Sequence, residues 1–446
     1  MGIVFNEDAS FGVTPLAVVS TEVKSVGRPT NIIDKETKGK ELLKWGENND
    51  FPQQVIIDIR KNPELGTLLD KEANLLYSAG LEWGKYVDDG NGNEVFKRLA
   101  PDQNKKIREW CKRTNIDRYL LEASKDLYTF YNVFVEIVLS NDRKSIAQIC
   151  TQAAEECRLA PQNNNGLIDT CYINANWPDA QPTDKLTKKL TVIDAYYDPA
   201  TTLKEAKSGT NFIYMLNYAN PGNKFYQLAD WNSIRESGWL EVSSELPKLK
   251  KALLKNQTTI KHHIKISNRY WDMKYDGFEK KPAAERTKIK SDEIEKIQQL
   301  LTGSENAGKN FWSVFHSDLN MGKDNELIKI EAVDDKIKDG KFLEDGKDAS
   351  IYTMSAVGLH PALVGTMPNN GLGGAGSNIR EAYNLHILTN KSRQDLILEP
   401  LNNLVVPYNG WDPETVFRFK NQFMTTLDTG TETSSKAQTS TSNTSK

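Results

Sequence analysis

Residues 349–379 read ASIYTMSAVGLHPALVGTMPNNGLGGAGSNI, thirty-one consecutive positions without an Asp, Glu, Lys or Arg. The chain as a whole is 26% charged, and at ordinary composition a gap this long arises by chance on the order of one time in a hundred. The pattern predicts an apolar helix at 351–357, a helix stop at 358–361, and then a loop rich in Gly, Asn and Pro. Any functional interpretation has to explain why charge is excluded here.

A second helix is predicted to follow this loop. Asn378 and Glu381 have the spacing of a capping box, which predicts a helix start at Ser377 or Asn378. The helical pattern continues to Leu396, and Pro400 bends or ends it. The unit is therefore predicted to be a helix, an uncharged flexible loop and a long helix.

Composition narrows the class of protein. The length of 446 residues allows two or three domains, and a net charge of −3 argues against a static nucleic-acid clamp, since such proteins are usually basic. The four cysteines have no Cys-x-x-Cys spacing and are predicted to be free, buried thiols. No signal peptide is recognisable, and the prolines and glycines of the uncharged stretch argue against a membrane span. A cytoplasmic protein without a membrane partner is expected.

Catalytic residues, a metal site and a cofactor are all expected to be absent. The five histidines lack the spacing of a zinc site, and His360, before Pro361, is interpreted as a helix-terminating residue. Gly371, Gly373 and Gly376 match the dinucleotide fingerprint by letter. Neither the buried strand nor the later acidic residue of that motif accompanies them. A nucleotide-binding enzyme using this loop stays open as an alternative.

The rest of the chain alternates between helical and strand patterns, so the predicted fold class is α+β. Residues 1–40 are expected to form an irregular arm. Helices are predicted near residue 53, through 65–77 and within 105–121, and strands at 131–139, 190–197, 211–218, 224–228 and 416–423.

The region from 247 to 335 is predicted to be a basic helix followed by a compact α/β insertion. The helix covers 247–264, and its Lys248, Lys250, Lys251 and Lys255 form either a solvated face or a face toward a polyanion. Residues 269–275 lead into Asp276-Gly277, a hairpin signal. A short helix at 291–301 and paired strands at 311–316 and 326–331 complete the insertion.

Several stretches, in this order, resemble the bacteriophage portal proteins, which form rings at the vertex where DNA enters tailed-phage capsids. Residues 358–365 (GLHPALVG), with the Gly/Ser loop and 377–383 after them, are similar to the family's glycine-x-proline segment before its long helix. Residues 301–309 are similar to its lead into a strand, and 45–52 and 79–81 to its N-terminal wing. The resemblance covers most of 40–425, with departures at 359–360 and in the short segment after Pro400.

The resemblance implies a portal-type fold with these parts. They are an N-terminal arm (1–40), an α/β wing (41–246), a first stem helix (247–264), a small α/β clip (265–335), a second stem helix (336–358), a tunnel loop (359–378), a long kinked helix with the remaining wing and a reduced crown (379–428), and a disordered Ser/Thr-rich tail (429–446). It further implies that the DNA channel is lined by Thr366, Met367, Pro368, Asn369, Asn370, Gly371, Leu372, Gly373, Gly374, Ala375, Gly376 and Ser377.

The same resemblance implies a non-enzymatic homo-oligomeric ring, of twelve subunits if the family pattern holds, through which double-stranded DNA is packaged and ejected. Its partners would be the terminase large subunit, the head–tail adaptor, and the major capsid and scaffold proteins. It would act at the portal vertex of the virion and, during assembly, in the host cytoplasm. An uncharged loop suits this role, because each phosphate neutralised by Lys or Arg adds affinity and would hold the duplex. An oligomeric scaffold without DNA passage is the remaining alternative.

Overall fold

The computed structural model describes residues 4–5, 11–14, 17–20, 30–37, 39–196, 198–206, 208–257, 262–302, 316–318, 323–325, 327–332, 339–365 and 376–424. The strands are β1 (Val4–Phe5), β2 (Phe11–Thr14), β3 (Ala17–Ser20), β4 (Leu81–Asp88), β5 (Glu94–Lys97), β6 (Asn132–Leu139), β7 (Ile146–Gln152), β8 (Cys157–Leu159), β9 (Thr170–Ile173), β10 (Lys188–Ile193), β11 (Asn211–Asn217), β12 (His262–Ile266), β13 (His316–Asp318), β14 (Lys323–Asn325), β15 (Ile328–Ala332) and β16 (Val416–Phe419). The helices are α1 (Phe51–Lys61), α2 (Leu65–Tyr77), α3 (Pro101–Thr114), α4 (Ile116–Phe130), α5 (Pro199–Glu205), α6 (Ser233–Glu236), α7 (Trp239–Gln257), α8 (Asn268–Lys274), α9 (Ala283–Thr302), α10 (Asp339–Val357), α11 (Pro361–Val364), α12 (Gly376–Thr389), α13 (Lys391–Pro400) and α14 (Val406–Tyr408).

The chain divides into two compact units, 1–244 with 346–446, and 245–345. The main sheet of the first unit has the strand order β7-β6-β11-β10-β9-β8, in which only the pair β10/β11 is parallel. Strand β6 lies inside this sheet, and its Val133, Phe134, Val135 and Ile137 are fully buried. A strand that is buried on both faces reads as a continuous apolar run, which is why this one was predicted from the sequence alone.

Helix α4 covers β6 and β7. Its Leu120, Ala123 and Leu127 are completely buried and stand at helical spacing, so they form one stripe against the sheet. Helix α2 packs on α4, and α13 contacts α2, α4 and β11. These helices and the sheet share one continuous hydrophobic core.

A three-stranded sheet, β16-β4-β5, joins distant parts of the first unit. Strand β16 pairs antiparallel with β4, from Val416 opposite Gly84 to Phe419 opposite Leu81. Glycine is required at position 84, because a Cβ there would lie 2.3 Å from the carbonyl oxygen of Lys97.

In the second unit, β12 pairs antiparallel with β15 and β13 with β14. Helices α8 and α9 are joined by Glu293, which is 6% exposed and accepts hydrogen bonds from Tyr270 (2.8 Å), Tyr275 (3.1 Å) and Lys274. The Lys274 ammonium lowers the pKa of this carboxyl.

The α+β fold class is confirmed, whereas several predicted elements are wrong. Within residues 1–40 the described parts form a three-stranded sheet, β1-β2-β3, rather than an irregular arm. Residues 224–228 form no strand, because the backbone of Gln227 bonds to the side chain of Asn132 through both its N–H and its C=O.

The predicted helix over 247–264 is misplaced. Helix α7 begins earlier, at Trp239, and contains Pro247, and residues 262–264 belong to β12. Residues 268–274 form α8, and Gly277, with φ +66°, starts a 3-10 turn instead of a hairpin. The predicted short helix over 291–301 is the C-terminal part of the longer α9.

Strand β15 pairs with β12, so the predicted pairing of 311–316 with 326–331 is wrong where it can be compared. The hairpin around 320–322 instead joins β13 and β14. Residues 311–315 and the Ser/Thr-rich tail 429–446 lie outside the described residues. The part boundaries implied by the resemblance stay predictions.

Candidate functional site

The predicted helix stop before the tunnel loop is a Schellman turn at the end of α10. Gly358 has φ +86°, and its N–H bonds to the carbonyl of Ser355 at 3.2 Å, while the N–H of Leu359 reaches Met354 O at 3.1 Å. The side chains of Leu359 and Met354 pack together with Leu68 of α2, as the hydrophobic contact of this motif requires. The turn therefore fixes the direction in which the chain leaves α10.

His360 has a different role from the predicted one. Its Nδ1 accepts a hydrogen bond from the N–H of Ala362 at 3.2 Å, so it caps the start of α11 rather than ending α10. Pro361 occupies the first turn, where a missing N–H costs nothing. Gly365, with φ +84°, then ends α11.

Most of the predicted DNA-facing residues, 366–375, lie outside the described residues. Gly376 and Ser377 are described: both are exposed and form the first turn of α12. The helix thus begins one or two residues before the predicted start, and Asn378 lies inside the first turn instead of at the cap.

Helices α10, α11 and α12 enclose an apolar groove of about 390 Å³. Its walls include Met354, Leu359, Leu363, Ala382 and Leu385, and His386 lines it as well.

Large apolar side chains are exposed on the two helices that flank this groove. On α10, Ile351 and Tyr352 are 38% and 48% exposed; on α12, Leu385 and Leu388 are 61% and 64% exposed. Apolar groups grouped in this way mark a surface that can associate with another protein.

The four predicted basic residues, Lys248, Lys250, Lys251 and Lys255, are exposed on α7. Lys248, Lys251 and Lys255 stand at spacings of three and four and share one face of the helix. Lys248 pairs with Glu245 at 2.6 Å. They belong to the second unit, and the flanks of the tunnel loop belong to the first.

The sequence analysis missed a buried polar cluster where α12 meets α13. The two helices are separated by Asn390, with φ −88° and ψ 0°. Asn390 Oδ1 accepts hydrogen bonds from the Tyr128 hydroxyl (2.8 Å) and from Arg393 (3.2 Å), and its Nδ2 lies 2.7 Å from His386 Nε2. His386 Nε2 is in turn 3.5 Å from Glu72 Oε2 on α2.

A signal for this cluster exists in the sequence. Glu72 stands between Leu68, Leu69 and Leu76 on the apolar face of α2, a position where a carboxylate is not expected. In the structure it is 2% exposed, and His386 is 7% exposed. An acidic residue on an otherwise apolar helical stripe therefore predicted a buried polar contact.

The cysteines are free, as predicted, with Cys111, Cys157 and Cys171 buried. Burial raises the pKa of the Cys111 and Cys150 thiols to about 12, so both are protonated at neutral pH and poor nucleophiles. Within the described residues, no three His, Cys, Asp or Glu side chains are grouped so that they could hold a metal ion. None of the helices described is long and apolar enough to span a lipid bilayer.

The chain matches no protein-family model and no curated protein. It is similar to solved structures from one kind of particle. One is a chain of the virion of a native gene transfer agent particle, with a TM-score of 0.53 and 12% identity over 85% of each chain. Others are chains of the particle's neck, from an empty particle computed with C6 symmetry (TM-score 0.52) and a native one computed with C12 symmetry (TM-score 0.53), both 12% identical over 86% of each chain.

This likeness extends over nearly the whole chain and establishes a shared fold. The α+β fold of this protein is that of chains found in the virion and neck of a phage-like particle. The portal-type fold predicted from the sequence is thereby confirmed.

Proposed function

We propose that this protein is a portal subunit, a ring-forming component at the unique vertex of a phage or phage-like capsid. The observation that carries the proposal is the fold shared over 85% of the chain with virion and neck chains of a gene transfer agent particle. The order of the portal-like sequence segments supports it independently, because that order was recognised without any structural comparison.

The proposed ring has twelve subunits. A neck computed with C12 symmetry supports this number. A closed ring needs surfaces on each subunit that bind the next copy. The exposed apolar side chains of α10 and α12, with Leu385 and Leu388 at their centre, are the surface that we assign to this contact.

The proposed DNA-facing segment is the loop at 366–377. Its neighbours in sequence support this: α10 from Ala349 onward, the Schellman turn, α11 and the start of α12 carry no Asp, Glu, Lys or Arg up to Ile379. A rim without fixed charge lets a duplex slide, since contacts to phosphate then are weak hydrogen bonds that are easily exchanged. The lysines of α7 are the proposed basic face, on the first stem helix.

We further infer that 265–335 forms the clip, which docks the terminase large subunit during packaging and a head–tail adaptor afterwards. Contacts to the major capsid and scaffold proteins would hold the ring at the vertex, and assembly would take place in the host cytoplasm. The family resemblance in sequence supports these assignments, and the neck location of the similar chains agrees with an adaptor contact.

The nucleotide-binding alternative loses support from the described flanks of the loop. A dinucleotide fingerprint follows directly on a buried strand. Here the described element before the glycines is the helix α11, which ends at Gly365, five residues before Gly371 begins the motif region at 371–376.

The proposal is tested with the purified full-length chain. Negative-stain images should show annular particles with a central hole, and light scattering should give a mass near twelve times 50.3 kDa. Calorimetry with ATP and NAD should show no binding. A monomer that binds either nucleotide would favour the enzyme, and a ring that does not support DNA packaging in a capsid would favour the scaffold.

A further inference from the structure

Glu72 and His386 form a buried acid–base pair for which the proposed ring function has no use. Their side chains are 3% and 7% exposed and come from helices far apart in sequence, α2 and α12. Burying either group in its charged form is costly. The pair also stands at a mechanically special point, because Asn390, which separates α12 from α13, is bonded to it.

The hydrogen bonds around Asn390 fix the protonation of His386. Tyr128 and Arg393 both donate to Oδ1 of Asn390, so this atom is the amide oxygen. The amide nitrogen then faces His386 Nε2 at 2.7 Å and donates to it. A ring nitrogen that accepts a hydrogen bond carries no proton, and His386 is therefore neutral here.

Glu72 approaches this same nitrogen. An ionised carboxylate at 3.5 Å would oppose its lone pairs to that of Nε2, whereas a protonated carboxyl can turn its O–H toward it. The geometry thus places one proton in the pair, on Glu72. Burial raises the pKa of Glu72 to about 7 and lowers that of His386 to about 4, which agrees with this placement.

Other ionisable groups face the pair from each neighbouring element. Arg393 of α13 is the nearest cation, and Tyr128 of α4 donates to Asn390. Behind them, Arg393 donates to the hydroxyl of Tyr131, which donates to Asp230, and its guanidinium lies 4.5 Å from the ring of Tyr218. Once Glu72 loses its proton, Arg393 attracts the carboxylate while His386 opposes it.

We propose that the proton held by Glu72 and His386 is a clamp that fixes α12 on α2, and that its removal releases α12 about the Asn390 joint. Two arrangements follow. In the protonated one, Glu72 bonds to His386 and the α12–α13 joint is held. In the deprotonated one, Glu72 turns toward Arg393 and the contact between α2 and α12 is lost. Since His386 also lines the groove between α10, α11 and α12, solvent can deliver and remove the proton.

Hydrogen exchange on the full-length protein at pH 6 and pH 8.5, corrected for intrinsic rates, tests the clamp. A carboxyl with a pKa of about 7 when clamped and an ordinary value when released increases opening about tenfold between these two pH values. Protection of α12 and α2 should therefore fall together, about tenfold, while α9 in the second unit should show no such fall.

Two variants separate this clamp from a passive buried contact. Glu72→Gln keeps a hydrogen-bond donor but cannot ionise, so protection of α12 should no longer depend on pH. Glu293→Gln, which alters a buried carboxyl of the second unit, should keep the wild-type fall. Equal protection of wild-type α12 at both pH values would overturn the proposal, as would an unchanged fall in Glu72→Gln. If that variant does not fold, the wild-type comparison of α12, α2 and α9 decides alone.

Discussion

The guanidinium of Arg158, which is completely buried, donates from Nε to Oδ1 of Asn49 at 2.6 Å. The same group bonds to the carbonyls of Asn49 and Cys157 at 2.9 and 2.8 Å, and it lies over the rings of Trp45 and Trp177 at 5.7 and 5.5 Å. One cation thus ties the loop before α1 to β8 of the main sheet.

Replacing Arg158 with Leu should destabilise the first unit by about 3–5 kcal/mol, because several buried oxygens lose their donor at once. Urea unfolding followed by tryptophan fluorescence measures this. Arg118→Leu is the matched control: its side chain is 72% exposed and pairs with Glu122 within α4. We expect a change within about 0.5 kcal/mol there. Equal effects of the two changes would contradict the role assigned to Arg158.

Gly358→Ala should destabilise the Schellman turn by about 1–2 kcal/mol, since an L-residue at φ +86° is strained even though no atom blocks the added methyl group. Thermal unfolding measures the loss. Gly376→Ala is the control, because Gly376 lies in the first turn of α12 with open space around it and no positive φ. That change should be neutral or stabilising by up to about 1 kcal/mol. The reverse order would show that the turn at 358 is not formed.

The Glu72–His386 pair has a specific effect on stability as pH changes. Raising the folded pKa of Glu72 to about 7 makes its contribution fall as pH rises from about 4.5 to 7, because the folded state then binds the extra proton. Lowering the pKa of His386 to about 4 makes its contribution rise between about pH 4 and 6.5. Between pH 4.5 and 6.5 the two contributions offset each other in the wild type.

Each single variant should therefore reveal the other half. Relative to wild type, the unfolding free energy of Glu72→Gln should increase with pH over 4.5–7, by roughly 2–3 kcal/mol. That of His386→Gln should decrease relative to wild type over pH 4–6.5. Urea titrations at half-unit pH steps provide the comparison, and slopes of the same sign for both variants would be inconsistent with a pair that holds one proton.

The apolar surface of α10 and α12 makes a prediction about assembly. Leu385→Ser with Leu388→Ser should leave the stability of the isolated subunit within about 0.5 kcal/mol, because both side chains are more than half exposed. Ring formation should weaken, with a larger share of monomer in analytical ultracentrifugation. Leu186→Ser, at a position 71% exposed outside this surface, is the control and should assemble as wild type does. Normal rings from the double variant would remove this surface from the subunit contact.

The uncharged loop makes a prediction about DNA movement. Asn369→Lys with Asn370→Lys should leave ring assembly intact and slow translocation, because positive charges repeated around a ring add their contacts to phosphate. Packaging rate and DNA content per capsid are the measurements, and higher salt should relieve the defect. A double substitution to Gln is the uncharged control. Wild-type packaging by the lysine variant would exclude these residues from the DNA path.

Much of the fold was predictable where local pattern and tertiary environment agree. The apolar run of β6 and the helical spacing of α2 were recognised because each buries the surface that its own sequence presents. Elsewhere distant groups decided the structure. Residues 224–228 have a strand-like composition, yet the side chain of Asn132, far away in sequence, takes up the backbone bonds of Gln227.

The candidate site was predictable to a similar degree. The helix stop at Gly358 follows from glycine and proline chemistry alone, and it was found at the predicted place. The role of His360 was missed because a capping side chain and a terminating one look the same in sequence. The Glu72 cluster could not be assembled, because its members come from three helices and their meeting depends on how those helices pack.

The pairing of β16 with β4 has a consequence for synthesis of the protein. Strand β4 lies near residue 85 and its partner near residue 418, and the N–H of Lys420 bonds to the carbonyl of Gly80. The ribosome must therefore translate almost the entire message before this sheet can close. A nascent chain stays unfinished in its first unit until release, so subunits reach their neighbours only as completed polypeptides.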